Sequence, residues 1–516
     1  MGSGRNKPTS IGATTTIQIY LGKVLDRSAL IQDRNAGMWP TFPSIIRGLY
    51  WSIAITLPVS VRLYVGSIDL EVIFPAELLI ALLGIAVLLG FVFRKGWRVV
   101  HVPALRDPVV LVAASWIIIM ALSVMVSDHP IVSMKALLVR SSFIVLFFLV
   151  PSIFPSLVRI DRYGLLFAHA MAFVVIIVFS LVKQSETGFD RSSAALAPFP
   201  FYVDHTSYSA VLVFVFVLFL VGIRIARRGR AHRLPVDLMI LAGMAIVAFL
   251  FAYCRAAWIG AIAMGVLILA RARNVTFGGF MRWMGVLCIP ITILATLVVN
   301  GGGGQFADSN STGAGFKESV LSLTNIHSDA SNKERINRWK CSLRMFADAP
   351  VLGHGVGTYQ FVFPPYQRPE EMTYISVSGP LGSSRVEGVW EFEDWVMVRR
   401  NPQNHYCSGG TAHSEYFLAL AESGLGAGIL FLVFAVVVLR MGFRSAARIA
   451  PGSRRWKYMG LWLAVMAYFV HALFNNFLDD PKVAFPFWTT IGLLVSWSLR
   501  ADRGAYDHGI GVVNHK

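Results

Sequence analysis

The stretch Ala412 to Gly428, AHSEYFLALAESGLGAG, joins a long polar segment to an apolar one. The residues after His413 are apolar enough to span a bilayer, whereas most of roughly the preceding hundred residues are not. The His413 imidazole is therefore expected at the boundary between a lipid phase and a polar loop. An enzyme acting on a lipid-linked substrate would need its general base at such a boundary.

The composition is that of a membrane protein. Hydrophobic residues make up 55% of the 516 residues and charged residues only 15%, and the mean hydropathy is +0.60. Ordinary soluble domains carry about 25% charged residues. The chain is therefore expected to be embedded in a membrane. Its first residues, MGSGRNKPTS, lack the apolar core of a signal peptide, so the first span is expected to direct insertion.

The hydropathy pattern predicts an all-α polytopic membrane protein with about 12 transmembrane helices and a large external helical loop between spans 9 and 10. The predicted spans are residues 47–65, 70–93, 108–127, 131–151, 163–182, 207–224, 236–253, 256–271, 281–299, 414–439, 458–475 and 483–500.

The distribution of charge predicts the orientation, because Lys and Arg collect in alternate loops. Basic loops face the cytoplasm, so both termini are expected there and the long loop outside. The expected segments are a cytoplasmic N-terminal segment 1–46, a membrane domain 47–299, an external loop domain 300–412, a membrane domain 413–500 and a cytoplasmic tail 501–516. Dispersed basic loops facing anionic lipid headgroups account for the net charge of +17. Nucleic acid is therefore not expected as a partner.

Within the external loop, the segment Asn332–Ala347 places the apolar residues Ile336, Trp339, Leu343 and Phe346 at helical spacing. We expect an amphipathic helix whose arginines lie on its surface: Arg335, Arg338 and Arg344. Pro350 ends the helix, and the glycine cluster Gly353–Gly357, GHGVG, follows. This cluster does not lie between a strand and a helix, so a tight turn that docks the loop on the membrane domain is favoured over a phosphate loop.

Three motifs carry a resemblance to a known family. They are RINRW from Arg335 with APVLGHGVG at Ala349–Gly357, HSEYFLALAESGLG at His413–Gly426, and CRAAWIG at Cys254–Gly260. With their order and the layout of the spans, they resemble the O-antigen ligase and polymerase family of membrane glycosyltransferases. Cys254 stands where that family usually has serine, and Ser414 where it commonly has asparagine.

The resemblance implies transfer of a glycan from a polyprenyl diphosphate donor to an acceptor sugar hydroxyl, at the periplasmic face of the bacterial inner membrane. It implies no nucleotide sugar, cofactor or metal, and the spacing of His405, Cys407 and His413 matches no recognised metal site. We expect an O-antigen ligase with a lipid A-core acceptor. The alternative within the family is a polysaccharide polymerase, whose acceptor is another polyprenyl-linked glycan. A polysaccharide or lipid transporter is the alternative from another class, but the sequence lacks the paired span-breaking repeats it would need.

The residues implied for this chemistry are one histidine and three arginines. A sugar hydroxyl is a poor nucleophile, so His413 is the candidate base. The leaving diphosphate gains negative charge, which arginines stabilise best. Arg255 and Arg335 match the family's functional arginines by motif. Arg140, about ten residues into the fourth span, is expected to meet either the donor diphosphate or a structural carboxylate.

Each assignment has a structural alternative. Arg255 could lie at the interface as an anchor, Arg335 could be a solvated helix charge, and His413 could cap the tenth span. Glu422 is expected in a structural ion pair, and Gly424 with Gly428 in a helix-packing face. Cys341 could pair with Cys407. The candidate acceptor-binding residues are Asp204, His205 and Tyr208 at the start of the sixth span, and His471 and Asn475, which share a helix face with Asp479 at the external end of the eleventh.

Overall fold

The computed structural model describes residues 42–65, 70–94, 100–158, 160–227, 235–283, 330–368, 371, 389–393, 396–400 and 410–510. Most of the predicted N-terminal segment, most of the ninth span, the start of the external loop, Cys407 and residues 511–516 lie outside the described residues.

Twelve long helices are described. They are α1 Phe42–Val59, α2 Ala76–Arg94, α3 Pro108–Val124, α4 Pro130–Ile144, α5 Arg162–Ser185, α6 His205–Ala226, α7 Val236–Phe251, α8 Arg255–Ala272, α9 Ala330–Asp348, α10 Glu415–Arg448, α11 Ser453–His471 and α12 Pro481–Ile510. A π-helical turn, Val145–Leu149, continues α4 into Val150–Ile153. Short helices are Val102–Leu105, Pro155–Val158, Arg191–Ala194, Tyr359–Val362 and the 3-10 turn Pro364–Tyr366.

The helices agree with the predicted membrane architecture. A helix overlaps every predicted span except the ninth, which lies mostly outside the described residues. Within the described residues, six helical segments are long and apolar enough to cross a membrane: Ala76–Phe93, Pro130–Ile153, Arg162–Ser185, His205–Ala226, Arg255–Ala272 and Glu415–Arg448. The chain is thus a mainly helical, polytopic membrane protein, while the count of twelve spans stays a prediction.

Two short hairpins are additions to the all-α prediction. Strands β1 Val61–Val65 and β2 Leu70–Phe74 pair antiparallel, as do β3 Val389–Glu393 and β4 Val396–Arg400. The first hairpin occupies the end of the predicted first span and the start of the second. A hydropathy window scores apolar strand residues like apolar helix residues, so it placed both segments within helices.

The helices pack through small residues and a core of aromatic side chains. Trp488 of α12 is 1% exposed and stacks on Phe148, with ring centroids 6.0 Å apart. Gly260 of α8 faces α11 so closely that a Cβ there would lie 2.8 Å from the Ala467 carbonyl oxygen. Such close backbone approach is typical of helix packing in membranes. It brings the start of α8 against the end of α11.

Helix α10 is broken at Gly424, which has φ +73°. The break exposes backbone groups that the loop before α10 satisfies. The amide of Leu425 donates to the Pro350 carbonyl (2.9 Å), and the Glu422 carbonyl accepts from the Gly355 amide (2.8 Å). The prediction that the GHGVG turn docks the loop on the membrane domain is confirmed. The helix-packing role predicted for Gly424 is wrong, because its backbone contacts the Val351 carbonyl in the docked loop.

The loop glycines are needed for this docking. Gly353, Gly355 and Gly357 all have positive φ. A Cβ at Gly355 would overlap the Ser127 side chain, and one at Gly357 would overlap the Ala136 Cβ. Only glycine combines this backbone conformation with such close contact.

Helix α9 is present, but its buried face differs from the predicted one. The buried residues are Glu334, Asn337, Arg338, Cys341, Ser342 and Met345, at helical spacing. Leu343, from the predicted apolar face, is 47% exposed, whereas Arg338 is 3% exposed rather than on the surface. A pattern of hydropathy identifies an apolar face, and here the face that packs against the protein is mainly polar.

Candidate functional site

Several of the predicted site residues lie at helix ends that meet at one end of the bundle. The Sγ of Cys254, before α8, lies 3.8 Å from Nε2 of His471, the last residue of α11. The indole Nε1 of Trp339 in α9 donates to the His413 carbonyl at 3.2 Å. The starts of α8 and α10, the end of α11 and one face of α9 therefore surround a common region.

His413 immediately precedes the N-terminal cap of α10 and has a strained backbone. Its φ is +49°, a left-handed value that non-glycine residues rarely adopt. The Ser414 hydroxyl caps α10, accepting from the Phe417 amide. The His413 amide donates to Oγ1 of Thr411 at 3.3 Å. Its half-buried ring makes no hydrogen bond to another described residue. Strained residues of this kind are common at active sites.

The surroundings of His413 keep its ring neutral. Burial, together with the nearby Arg335 and Arg338 guanidinium groups, lowers its pKa to about 3, while Asp204 acts in the opposite direction. The neutral ring can accept a proton at neutral pH without first losing one. From the sequence alone, the expected pKa is close to the ordinary histidine value of about 6.5.

Arg335 is fixed from two sides. Its Nε donates to the Phe474 carbonyl at 3.3 Å. Its Nη1 donates to the Ser331 hydroxyl at 2.7 Å. The neighbouring Trp339 ring stacks on Phe417, with centroids 5.5 Å apart. Arg335 is thus held toward the helix ends of the site rather than extended into solvent, which disfavours the alternative of a solvated helix charge.

Arg255 is the first residue of α8, directly after the buried Cys254. It is half-buried and, with Arg335, lies close enough to His205 to affect that ring electrostatically. A cation in the first turn of a helix adds to the positive end of the helix dipole. Such a place favours a bound anion.

The residues at the start of α6 divide into two groups. Oδ1 of Asp204 accepts from the Thr206 amide (2.7 Å) and the Ser207 amide (2.9 Å), so Asp204 caps the helix. Burial alone would raise the pKa of Asp204, but His205 and these hydrogen bonds lower it below its ordinary value. Tyr208 instead packs in the core, where it stacks on Phe173 with centroids 5.4 Å apart. The structure therefore places Asp204 and His205 at the site and Tyr208 away from it.

The end of α11 also differs from the prediction. The helix ends at His471, so Asn475 and Asp479 do not share its last turns. Instead they belong to the turn 472–480, which leads into α12. Within the described residues, Nδ2 of Asn475, Oδ1 of Asn476 and Nδ1 of His205 are buried polar atoms with no hydrogen-bond partner. Asn476 was missed in the sequence, because only burial distinguishes it from an ordinary turn residue.

Arg140 lies apart from these residues. Its Nη1 is 2.5 Å from Oε2 of Glu422, and its Nη2 is 3.8 Å from Oδ2 of Asp479. The sequence predicted either the donor diphosphate or a structural carboxylate as the partner of Arg140. In the structure, its partner is the carboxylate of Glu422. The ion pair predicted for Glu422 is confirmed.

The Arg140 ion pair borders a narrow cavity. The cavity does not include His413 among its lining residues. It is lined by Trp116, Met120, Arg140, Ile144, Glu415, Leu418, Ala419, Glu422, Ser423, Leu478, Asp479 and Trp488. The cavity and the region around His413 are thus lined by different residues of the same bundle end, with the first turn of α10 between them.

Arg338 is a further residue at the site, one that the sequence pattern places on the helix surface instead. Its Nε lies 2.6 Å from Oε1 of Glu334, and its guanidinium carbon lies 4.1 Å from the centre of the Phe363 ring. Its Nη1 has no partner among the described residues. The i, i+4 spacing of Glu334 and Arg338 predicts the ion pair, but not its burial beside His413.

Cys341 is a free thiol. Its Sγ donates to Oδ1 of Asn337 at 3.5 Å, and burial raises its pKa to about 11. Cys407, the suggested disulfide partner, lies outside the described residues. In the part of the chain that the structure describes, no group of three or more His, Cys, Asp or Glu residues is arranged to hold a metal ion.

Comparison with known proteins finds a family similarity for one part of this chain. Residues 240–379 match the family model Wzy_C, described as O-antigen ligase. No curated protein matches. The matched segment contains Arg255, Arg335 and the loop glycines, and His413 follows it. The chain is therefore a multi-pass membrane protein in which residues 240–379 are similar to the O-antigen ligase family.

Proposed function

We propose that the protein is an O-antigen ligase-type enzyme that moves a glycan from a polyprenyl diphosphate donor to an acceptor sugar hydroxyl at the periplasmic face of the inner membrane. One observation carries this proposal. His413, Arg255 and Arg335 come from three separate segments, yet they converge on one end of the helical bundle. A base close to Arg335, in a region that Arg255 also borders through His205, suits a reaction that deprotonates a hydroxyl and expels a diphosphate.

In the proposed reaction, His413 takes the proton from the acceptor hydroxyl as its oxygen attacks the anomeric carbon of the donor. The bond between that carbon and the diphosphate oxygen breaks, and the diphosphate leaves with the bonding electrons. Because the His413 ring is neutral, it is ready to accept the proton. A positioned general base contributes about a hundredfold to ten-thousandfold when its pKa lies near the working pH, and the negative charge of a bound diphosphate would raise the pKa of His413 toward that range.

The two arginines stabilise the leaving diphosphate. Arg255 combines its own charge with the positive end of the α8 dipole. Arg335 contributes a guanidinium that the Phe474 carbonyl and Ser331 hold in place. Two guanidinium groups can bind phosphate oxygens through paired hydrogen bonds, which a lysine cannot reproduce.

Four residues near this region are candidates for binding the acceptor sugar: Asp204, His205, His471 and Asn475. The unpaired buried atoms of His205 and Asn475 support this assignment, because buried polar groups without a partner are rare in folded proteins. Asp204 already uses Oδ1 as a helix cap, so its second oxygen is the part proposed to meet the sugar.

The location of these helix ends supports a single external site. In a chain that crosses the membrane at each predicted span, the starts of spans 6, 8 and 10 and the end of span 11 lie on one side. The positive-inside rule places that side outside the cytoplasm. The residues at these ends are those that converge in the bundle.

A reconstituted reaction tests the proposal. The purified protein would receive a polyprenyl-diphosphate glycan and, in parallel reactions, lipid A-core or a second polyprenyl-linked glycan. Transfer to lipid A-core supports the ligase, and elongation of the polyprenyl-linked glycan indicates a polymerase of the same family. Transfer to neither acceptor contradicts the proposed activity. Inhibition by a chelator would contradict the metal-independent mechanism.

A further inference from the structure

Glu415, in the first turn of α10, is a buried carboxylate for which the proposed reaction has no role. It is 6% exposed and lies two residues after His413. Its Oε1 accepts three hydrogen bonds: from the Phe477 amide (2.7 Å), the Leu478 amide (2.8 Å) and the Tyr468 hydroxyl (3.2 Å). Three donors on one buried oxygen fix the position of the segment that supplies them.

The segment held by Glu415 is the turn 472–480 between α11 and α12. Its Ala472 carbonyl accepts from the Glu415 amide at 2.9 Å, so the turn is held to the start of α10 at two points. Between these points lies Phe474, whose carbonyl accepts from Nε of Arg335 at 3.3 Å. A hydrogen-bonded connection therefore runs from Glu415 through the turn to Arg335.

We propose that Glu415 is a positioning residue for glycan transfer, which holds the turn 472–480 so that its Phe474 carbonyl orients Arg335 toward the donor diphosphate. The inference rests on the proposed function, because it gives Glu415 a role in that same site. The Oε1 atom carries the role, since it receives all three hydrogen bonds.

The other oxygen of Glu415 suggests the competing explanation. Within the described residues Oε2 accepts no hydrogen bond, and Glu415 lines the cavity beside Arg140, Glu422 and Asp479. A role of the carboxylate charge in that cavity would need Oε2 to be ionised. A positioning role needs only an oxygen at the place of Oε1.

Two variants separate these roles. Glu415→Gln keeps a carbonyl oxygen that can accept all three hydrogen bonds but removes the charge, whereas Glu415→Ala removes both. With the polyprenyl-diphosphate glycan as substrate, we expect Glu415→Gln to keep kcat/KM for the donor within about threefold of wild type. Glu415→Ala should lose about tenfold to a hundredfold, because a displaced binding group lowers the rate steeply. Ser445→Ala, which removes a buried hydroxyl farther along α10, is the control.

A double variant tests whether the effect passes through Arg335. If it does, the effects of Arg335→Lys and Glu415→Ala should be non-additive. The fold-loss of kcat/KM in the double variant should then be much smaller than the product of the fold-losses in the two single variants. Equal large losses in Glu415→Gln and Glu415→Ala would overturn the proposal in favour of the charge. Full activity in Glu415→Ala, or additive losses in the double variant, would also overturn it.

Hydrogen exchange examines the same connection without substrate. Glu415→Ala should speed exchange of the Phe477 and Leu478 amides and of the first turns of α9, and Glu415→Gln should not. Unchanged exchange in α9 would overturn the link to Arg335. If wild type transfers no glycan but these exchange changes occur, the proposed function fails while the positioning of Arg335 by Glu415 stands.

Discussion

At the scale of single residues, the sequence identifies candidates but not their environment. The motifs predicted His413, Arg255 and Arg335, and these residues lie near one another. The pKa of His413 could not be predicted, because it depends on burial and on Arg338. Arg338 is buried through its ion pair with Glu334 and its contact with Phe363, both of which require the folded loop.

The His413 environment predicts an unusual pH dependence. With a pKa of about 3, the ring is neutral throughout the range above about pH 5. Activity that needs the neutral ring is present above this pKa and is lost only as the pH falls through it. We therefore expect kcat/KM for the donor to show no ascending limb between about pH 5.5 and 8 from His413, measured as initial rates in the purified protein at donor concentrations well below KM.

The matching variant is Arg335→Gln, which removes a cation close to His413. Loss of that positive charge raises the pKa of His413. The pH below which transfer activity falls should therefore be higher in the variant than in wild type. A limb near the ordinary histidine pKa of about 6.5 in wild type that is unchanged in Arg335→Gln would show that Arg335 and burial do not control this ring.

At the scale of elements, spans and docking turns are predictable, whereas details of backbone geometry are not. The sequence predicted α9, α10 and the docking of the GHGVG turn. It could not reveal that α10 breaks at Gly424, because a glycine within an apolar stretch is also compatible with a continuous helix. It also missed the polar buried face of α9, since periodicity marks apolar residues only.

The break in α10 predicts a strong effect of one methyl group. Gly424→Ala would place a Cβ against the Val351 carbonyl at a φ of +73°. With ψ −170°, this backbone conformation is essentially limited to glycine and costs another residue about 1–3 kcal/mol, and the contact adds to it. We expect a loss of more than about 2 kcal/mol, measured by thermal unfolding in detergent.

Gly243→Ala is the matched control for this change. Gly243 lies inside α7, and no atom lies within 4 Å of the place that an alanine methyl group would take, so alanine should leave stability unchanged or raise it. Equal stability of both variants would show that the docked loop and the left-handed glycine are unimportant for the fold.

The ion pair between α4 and α10 predicts a coupled pair of substitutions. Arg140 and Glu422 have side chains 18% and 2% exposed. Removing one partner of a buried pair costs up to about 3–5 kcal/mol, because the other charge stays buried. Glu422→Gln or Arg140→Gln alone should therefore lower thermal stability, and the double variant should recover much of the loss. Additive losses would indicate that the two side chains do not interact.

At the scale of the whole molecule, the alternation of spans is the strongest prediction from the sequence. Hydropathy predicted a helix at each described span. If the chain crosses the membrane in alternate directions, the starts of α6, α8 and α10 and the end of α11 are expected at the same end of the bundle. The contacts that join those ends could not be predicted. They depend on side chains far apart in sequence, such as Cys254 with His471 and Trp339 with His413.

Orientation predicts opposite accessibility for two exposed positions. Leu343 in α9 belongs to the predicted external loop, and Ala450 between α10 and α11 lies in a predicted cytoplasmic loop; both are exposed. In a background with the four native cysteines replaced by alanine, Leu343→Cys should react in intact cells whose outer membrane has been permeabilised to an impermeant maleimide. Ala450→Cys should react only after the inner membrane is disrupted. The expectation rests on the basic residues beside Ala450, which the positive-inside rule keeps in the cytoplasm. Reaction of both positions before disruption would put Ala450 outside as well, which would contradict the predicted crossing of the membrane by α10.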